Sequence, residues 1–217
     1  MTNNKKNDIF VLGLCGGSGS GKTTVNSVFA SLGAVVLDCD LIYSELVAPS
    51  DKKSACLSEI EKEFGKDAVS HDGSLNRQYV SSVVFSDSGK RDILNKITHK
   101  YILDEVRLRI KESFAEGKSF FVVDAPVLFE SGFDRECHMT LAVTADKALR
   151  ISRITERDGI SRERAEKRIS AQTDDEYLKK RASFYIDNSG SLEELEEKTI
   201  RFYEEHINPK ITKDNGD

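Results

Sequence analysis

Gly16-Gly17-Ser18-Gly19-Ser20-Gly21-Lys22-Thr23-Thr24 stands directly behind the apolar run Ile9 to Leu14 and fits the pattern G-x-x-x-x-G-K-[ST]. Such a loop cradles the phosphates of a nucleoside triphosphate. Small glycines let successive backbone N–H groups turn inward into an anion-binding nest, and the following helix adds its positive N-terminal end. Lys22 then reaches the β- and γ-phosphates, and the Thr23 hydroxyl ligates Mg²⁺. The chemistry requires a buried strand before the loop and a helix after it. Ile9, Phe10, Val11, Leu12 and Leu14 predict the strand, and Val25, Val28, Phe29 and Leu32 recur at helical spacing until Gly33. The alternative is a flexible glycine-rich connector, against which the order strand, loop, helix speaks.

The 217 residues suffice for one α/β domain with a sizeable core and room for a small inserted subdomain. Charged residues make up 32% and the net charge is −5, so the surface is mildly acidic and offers no polybasic face to nucleic acid or membrane. Triphosphate binding must therefore come from local charge. Cys15, Cys39, Cys56 and Cys137 lack C-x-x-C or His-pair spacing, which argues against a disulfide framework or a zinc site. The polar stretch Met1 to Asp8 is too short for a signal peptide, and no apolar run has the length of a bilayer span. A cytoplasmic protein is expected, with frayed ends at Met1 to Asn7 and Lys210 to Asp217.

Further along, Ala34 to Leu37 predicts a second short strand ending at Asp38-Cys39-Asp40, followed by a helix that Pro49 breaks. Leu57, Ile60 and Phe64 mark an amphipathic helix, and His71-Asp72-Gly73 a turn. Leu75 to Phe85 is helical, as is Arg91 to about Ala115. In the latter the apolar stripe is Ile93, Ile97, Tyr101, then Ile102, Val106, Ile110, Phe114. Its slip near His99 predicts two helices or a kink. Ser119 to Val123 and Met139 to Val143 are apolar strands. Helices are expected over Asp146 to Arg157 and Ser161 to Gln172, then a short strand Phe184 to Ile186 and a helix from Leu192 to about Glu205. Buried strands alternating with helices predict a parallel sheet covered on both faces.

Ligands of such sheets gather at the carboxyl ends of the strands, where Asp38, Asp40 and Asp124 fall. If strand geometry persists through Cys39, Asp38 and Asp40 point the same way, about 7 Å apart. Either one of them faces an acceptor, or Asp40 merely N-caps the next helix. Asp124 is placed to hold Mg²⁺ directly or through water, ordinary strand-end solvation being the alternative. Arg150, Arg153 and Arg157 share one helical face, and Arg164 and Arg168 another. They are either phosphate-binding arginines of a mobile lid or a solvated face paired with Asp146, Glu156 and Glu163.

Several further motifs follow the loop in order. They are Leu37-Asp38-Cys39-Asp40, Asp72 to Arg77, Ile97-Thr98-His99, Asp124-Ala125-Pro126-Val127-Leu128-Phe129-Glu130, Arg157 to Ser161, Arg168-Ile169-Ser170-Ala171-Gln172, and Ile186-Asp187-Asn188-Ser189-Gly190. Over residues 9 to 205 the set closely resembles the dephospho-CoA kinase family. The resemblance implies a P-loop NTPase fold like that of the nucleoside monophosphate kinases. Its core would be residues 9–40, 116–149 and 182–207, with a helical acceptor subdomain over 41–115 and a helical lid over 150–181. The implied reaction moves the γ-phosphoryl group of ATP to the ribose 3′-hydroxyl of dephospho-CoA with Mg²⁺ as cofactor, in a monomer or weak homo-oligomer.

Matched by position, the resemblance implies that Asp40 is the general base, and that Lys22 and Arg153 also take part in catalysis. Gly19, Ser20, Gly21, Lys22, Thr23, Thr24 and Arg157 would hold ATP, with Asn188 and Gly190 near the adenine. Arg77 and His99, together with Asp40, would lie on the acceptor side, and Thr23 and Asp124 would serve the metal. The chain departs from the family pattern at Lys100, where a proline commonly follows the histidine, so a softer helix break is expected there. Rival readings are phosphorylation of another small alcohol or nucleotide, and a nucleotide switch. A guanine-reading N-K-x-D motif is absent.

Overall fold

The structure, a computed structural model, describes residues 9–50 and 52–212. Strand β1 (Phe10–Cys15) is buried along its whole length, as a central strand of a parallel sheet must be. It pairs in parallel with β3 (Phe120–Asp124) on one side and β4 (Met139–Thr144) on the other, and β4 pairs in parallel with β5 (Phe184–Asp187). With β2 (Val35–Asp38) at one edge, the order is β2-β3-β1-β4-β5.

Alternation along the strands sorts the core. Phe10, Leu12, Leu14, Phe120, Val122, Leu141 and Val143 point to one face. Val25 and Phe29 of helix α1 (Lys22–Ser31) and Leu195 and Phe202 of a later helix (Leu192–Phe202) pack onto it. On the other face Val11, Phe121 and Val123 are equally buried. A Cβ at Gly13 would come within 2.9 Å of Leu128, so glycine there lets the Leu128 side chain lie directly on the strand. Cys15, at the end of β1, is fully buried, and burial pushes its thiol up to about 12.

The chain divides into two compact units, one of residues 1–37 and 112–217, the other of residues 38–111. The second holds α2 (Cys39–Leu46), α3 (Ala55–Phe64), α4 (Arg77–Ser86) and most of α5 (Ser88–Ala115). Its own core gathers Val47, Cys56, Leu57, Ile60, Phe64, Val80 and Ile97. Local caps set the starts of these helices: Ser54 accepts the Leu57 N–H at 3.0 Å, and Asn76 the Tyr79 N–H at 3.1 Å.

After β4 come α6 (Lys147–Asp158), α7 (Arg162–Ser170) and α8 (Asp175–Arg181), then α9 (Leu192–Phe202) and α10 (Asn208–Thr212). Asp146 caps α6, Gly159 ends it in the left-handed conformation, and Ser161 caps α7. Ile151 and Ile154 pack on Ala165 and Ile169 to hold α6 and α7 together.

Several expectations are corrected or completed. Strand geometry does not persist through Cys39: β2 ends at Asp38 and α2 begins at once. Asp38, not Asp40, is the N-cap, accepting the N–H groups of Asp40 at 2.8 Å and Leu41 at 3.1 Å. The helix around His99 is unbroken from Ser88 to Ala115, because Lys100 keeps the backbone donor that a proline would remove. The slip in the stripe moves the buried side around the helix, so that Leu103 rather than Ile102 is buried with Val106 and Ile110. The segment 175–181 is helical, and a π-turn over Tyr203–Ile207 separates α9 from α10. Of the ends expected to fray, 210–212 complete α10, while 1–7 and 213–217 lie outside the described residues.

Candidate active site

The phosphate loop runs from β1 into α1 as the pattern requires. Gly16, Gly19 and Gly21 have φ of 152°, 77° and 104°, values that favour glycine. Ser20 N–H bonds the Gly17 carbonyl at 3.1 Å, and Thr24 N–H bonds that of Gly21 at 3.1 Å, closing the first turn of α1. Space matters as well as φ. A Cβ on Gly16 would meet the Val143 carbonyl at 2.4 Å, and one on Gly21 the Asn188 amide at 2.2 Å. Loop and neighbouring strand ends are thus packed without room for side chains.

Lys22 donates to the Gly16 carbonyl at 2.9 Å and stands 3.8 Å from Asp124 Oδ1. The ammonium is therefore held over the loop by both. Asp124, at the end of β3, is 7% exposed, and its Oδ2 accepts from Asn26 Nδ2 at 2.7 Å. Asn26 lies one helical turn after Lys22, so α1 presents both contacts to Asp124. A cleft of about 160 Å³ opens beside Gly16 and Gly17, walled by Pro126, Val127, Gln172 and Thr173. Glu130 accepts from Thr173 at 2.6 Å, a structural contact for a residue whose role the sequence left open.

A hard divalent ion suits this corner. Thr23 and Asp124 carry the oxygen atoms that would hold one. Mg²⁺ takes one or two protein oxygens and completes its shell with phosphate and water, so a pair of this kind fits it. Two buried oxygens, Ser20 Oγ in the loop and Asn26 Oδ1 beside Asp124, have no hydrogen-bond partner among the described residues, as polar lining of a ligand site would.

The three arginines of α6 have separate fates. Arg153 donates to the carbonyls of Gly19 at 3.3 Å and Asn188 at 3.2 Å, at the rim of the loop. Asn188, 5% exposed, donates to the Ser20 carbonyl at 2.8 Å and takes its own place through an N–H bond to Thr144. Gly190 leaves room for the Glu194 carboxylate, which a Cβ would meet at 1.7 Å. Arg157 is exposed and forms a two-bond pair with Asp158, which Arg168 also contacts. Arg157 first, then Arg168, hold the Asp158 carboxyl down at about 2. Arg150 is buried and bonded to the loop itself, so the shared helical face is neither a uniform solvated face nor a uniform set of free cations. Gln172 was quoted only as part of a motif, yet it grips Ser18 through its backbone N–H at 2.9 Å and its hydroxyl at 2.8 Å. Local spacing could not reveal this, since the two residues are 154 apart in the chain.

The acceptor-side candidates lie in the other unit. Asp40 stands exposed in the first turn of α2. Arg77, the first residue of α4, is exposed with its guanidinium 5.5 Å from the Tyr43 ring centre. His99 is half-buried on α5. Its neighbour Lys100 pairs with Glu59 at 3.3 Å, and Tyr101 donates to the same carboxylate at 2.7 Å.

No described helix is long and apolar enough to cross a membrane. The family model described as dephospho-CoA kinase matches residues 10–194. A dephospho-CoA kinase of Corynebacterium glutamicum is 37% identical over 85% of this chain and 93% of its own. Among solved structures, TT1252 from Thermus thermophilus has a TM-score of 0.74 at 31% identity, covering 93% of this chain and all of its own. A dephospho-CoA kinase from Campylobacter jejuni has a TM-score of 0.65 at 26% identity over 95% of this chain and 98% of its own. The chain belongs to the dephospho-CoA kinase family, and its activity is that of this family of ATP-using phosphotransferases.

Proposed function

We propose that this chain transfers the γ-phosphoryl group of ATP directly to the ribose 3′-hydroxyl of dephospho-CoA. The observation that carries the donor half is the phosphate loop with Lys22 fixed between Gly16 and Asp124. Phosphoryl transfer has a loose transition state with charge spread over the equatorial oxygens, so positioning and electrostatics do most of the work. The loop N–H groups and Lys22 bind the phosphates, and Arg153 adds positive charge at the rim. Thr23 and Asp124 would hold Mg²⁺, which neutralises charge on the β- and γ-oxygens.

Asp40 takes the proton of the attacking hydroxyl or orients it. Its support is chemical: an exposed carboxylate, fixed by the Asp38 cap in the first turn of a helix that follows a sheet strand. Arg77 and His99 would receive the polar groups of the acceptor, Asn188 and Gly190 would lie near the adenine, and Arg157 would turn to the phosphates once freed from Asp158. Residues 150–181 would act as the lid and 41–115 as the acceptor subdomain of a cytoplasmic monomer or weak oligomer.

Steady-state ADP release tests the proposal. It should depend strictly on dephospho-CoA, and the product should carry its new phosphate on the ribose 3′ oxygen by ³¹P NMR. Equal release with another alcohol or nucleotide would overturn the acceptor assignment. Acceptor-independent hydrolysis would overturn the transfer itself.

A further inference from the structure

The guanidinium of Arg150 is used by no step of the transfer, yet the residue is only 4% exposed. Burying a cation is costly unless its donors are satisfied. Here they are: Nε donates to the Ser18 carbonyl at 3.0 Å, one terminal nitrogen to Asp175 Oδ1 at 2.7 Å, and the other to Gln172 Oε1 at 3.0 Å. Gln172 in turn takes the Ser18 N–H and donates to the Ser18 hydroxyl. All three polar groups of Ser18, in the middle of the phosphate loop, are therefore held from outside.

Gly17 shows how closely the parts fit. Its φ is not among the positive values, so its backbone does not demand glycine. A Cβ there would lie 2.0 Å from an Arg150 terminal nitrogen and 2.9 Å from Gln172 Oε1. Glycine is needed at this position to admit the guanidinium.

We propose that Arg150 and Gln172 are positioning residues for the phosphoryl donor. They form a clamp that sets the shape of the phosphate loop and ties it to the junction between α7 and α8, with Asp175 as the anchor of Arg150. An anion nest works only if its N–H groups stay within about 0.5 Å of their productive places. The planar fork serves three acceptors from three separate nitrogens, a spread that the single nitrogen of a lysine cannot span. The inference rests on the reading of this loop as the ATP site.

The test is steady-state kinetics of the full-length chain with ATP and dephospho-CoA, alongside thermal unfolding. Arg150→Gln and Gln172→Leu should each lower kcat/KM for ATP by about 10²-fold, the scale of a misplacement near 1 Å. KM for dephospho-CoA should stay within about twofold, and Arg150→Lys should not restore the loss. Asp175→Asn should have a smaller effect, since it leaves the bonds to Ser18 and Gln172 in place. Lowered melting temperatures with unchanged KM for ATP would overturn the proposal in favour of a purely structural ion pair.

Should Arg150→Gln fail to fold, Gly17→Ala displaces the guanidinium while keeping its charge, and must raise KM for ATP. Where both fold, Gly17→Ala should cost less than about twofold more in the Arg150→Gln background, because the methyl then meets no guanidinium. Full additivity would overturn the clamp. A wild-type chain inactive with both substrates overturns the ATP-site reading and the clamp with it. An active wild type whose Arg150→Gln and Gln172→Leu variants bind ATP normally overturns the clamp alone.

Discussion

The phosphate loop and the unit of residues 38–111 hold their polar residues by different means. Around the loop, two of the side chains that grip backbone are buried, Asn188 at 5% exposure and Arg150 at 4%, each bonded across long stretches of chain. In the unit of residues 38–111, Asp40 and Arg77 are exposed. A cap starts α2, another starts α4, and surface pairs such as Arg109 with Glu45 and Lys100 with Glu59 decorate a separate apolar core. Exposed pairs of that kind contribute at most about 1 kcal/mol each. The phosphate loop is thus preorganised by interior bonds, while the unit of residues 38–111 presents Asp40 and Arg77 as surface groups on its helices. On the proposed function, substituting those two should change catalysis without disturbing the fold. Substitutions beneath the loop should alter ATP handling even where they touch no substrate.

Asp40→Asn is the sharpest way to break this contrast. It should lower kcat by about 10²–10⁴-fold. ATP binding, followed by a fluorescent analogue, and the melting temperature should stay unchanged. Near-normal turnover would remove Asp40 from the mechanism. Next comes the support beneath Asp124, the acid proposed to hold the metal. Asn26→Ala deletes the donor to Asp124 Oδ2, and the Mg²⁺ concentration for half-maximal activity should rise about tenfold, the lower end for such outer contacts. A magnesium titration of initial rate measures it, and an unchanged midpoint would show that Asn26 only fills space.

Asp38→Ala removes the α2 cap and should cost about 1 kcal/mol in urea unfolding. A similar cost from Asp40→Ala would blur the division of labour between the two aspartates. The smallest effect concerns Asp158. Its folded pKa lies below the ordinary 3.8, so the charged form is stabilised. The contribution is present above pH 3.8 and is lost as pH falls through about 2. Carbon-detected NMR should find its midpoint near 2, and Arg157→Gln should move it upward.

Where the sequence was legible, the signal was local. A strand, a glycine loop and a helix in succession need no long-range information, and β1, the loop and α1 lie where the pattern placed them. Strand-end carboxylates were legible for the same reason, but the helix starts two residues earlier than an Asp40 cap would have it, so the cap is Asp38. Helical spacing showed that Arg150, Arg153 and Arg157 share a face. It could not show that one is interior, one caps carbonyls at the loop rim and one pairs at the surface, because their partners are Ser18, Gly19 and Asp158. Helix α8 was missed because its seven residues carry six charges or rings around a single buried leucine, too short a stripe to show a period.

Cys15 has a consequence for how this kinase responds to its surroundings. Burial pushes its thiol up to about 12, so the thiolate, the reactive form, is strongly disfavoured there at neutral pH. The sulfur sits at the foot of the phosphate loop, where an adduct would be ruinous, yet it is all but inert toward electrophiles and peroxides. Burial that serves the sheet also leaves the donor site chemically silent under oxidative stress, and cysteine-directed warheads find no foothold at this position.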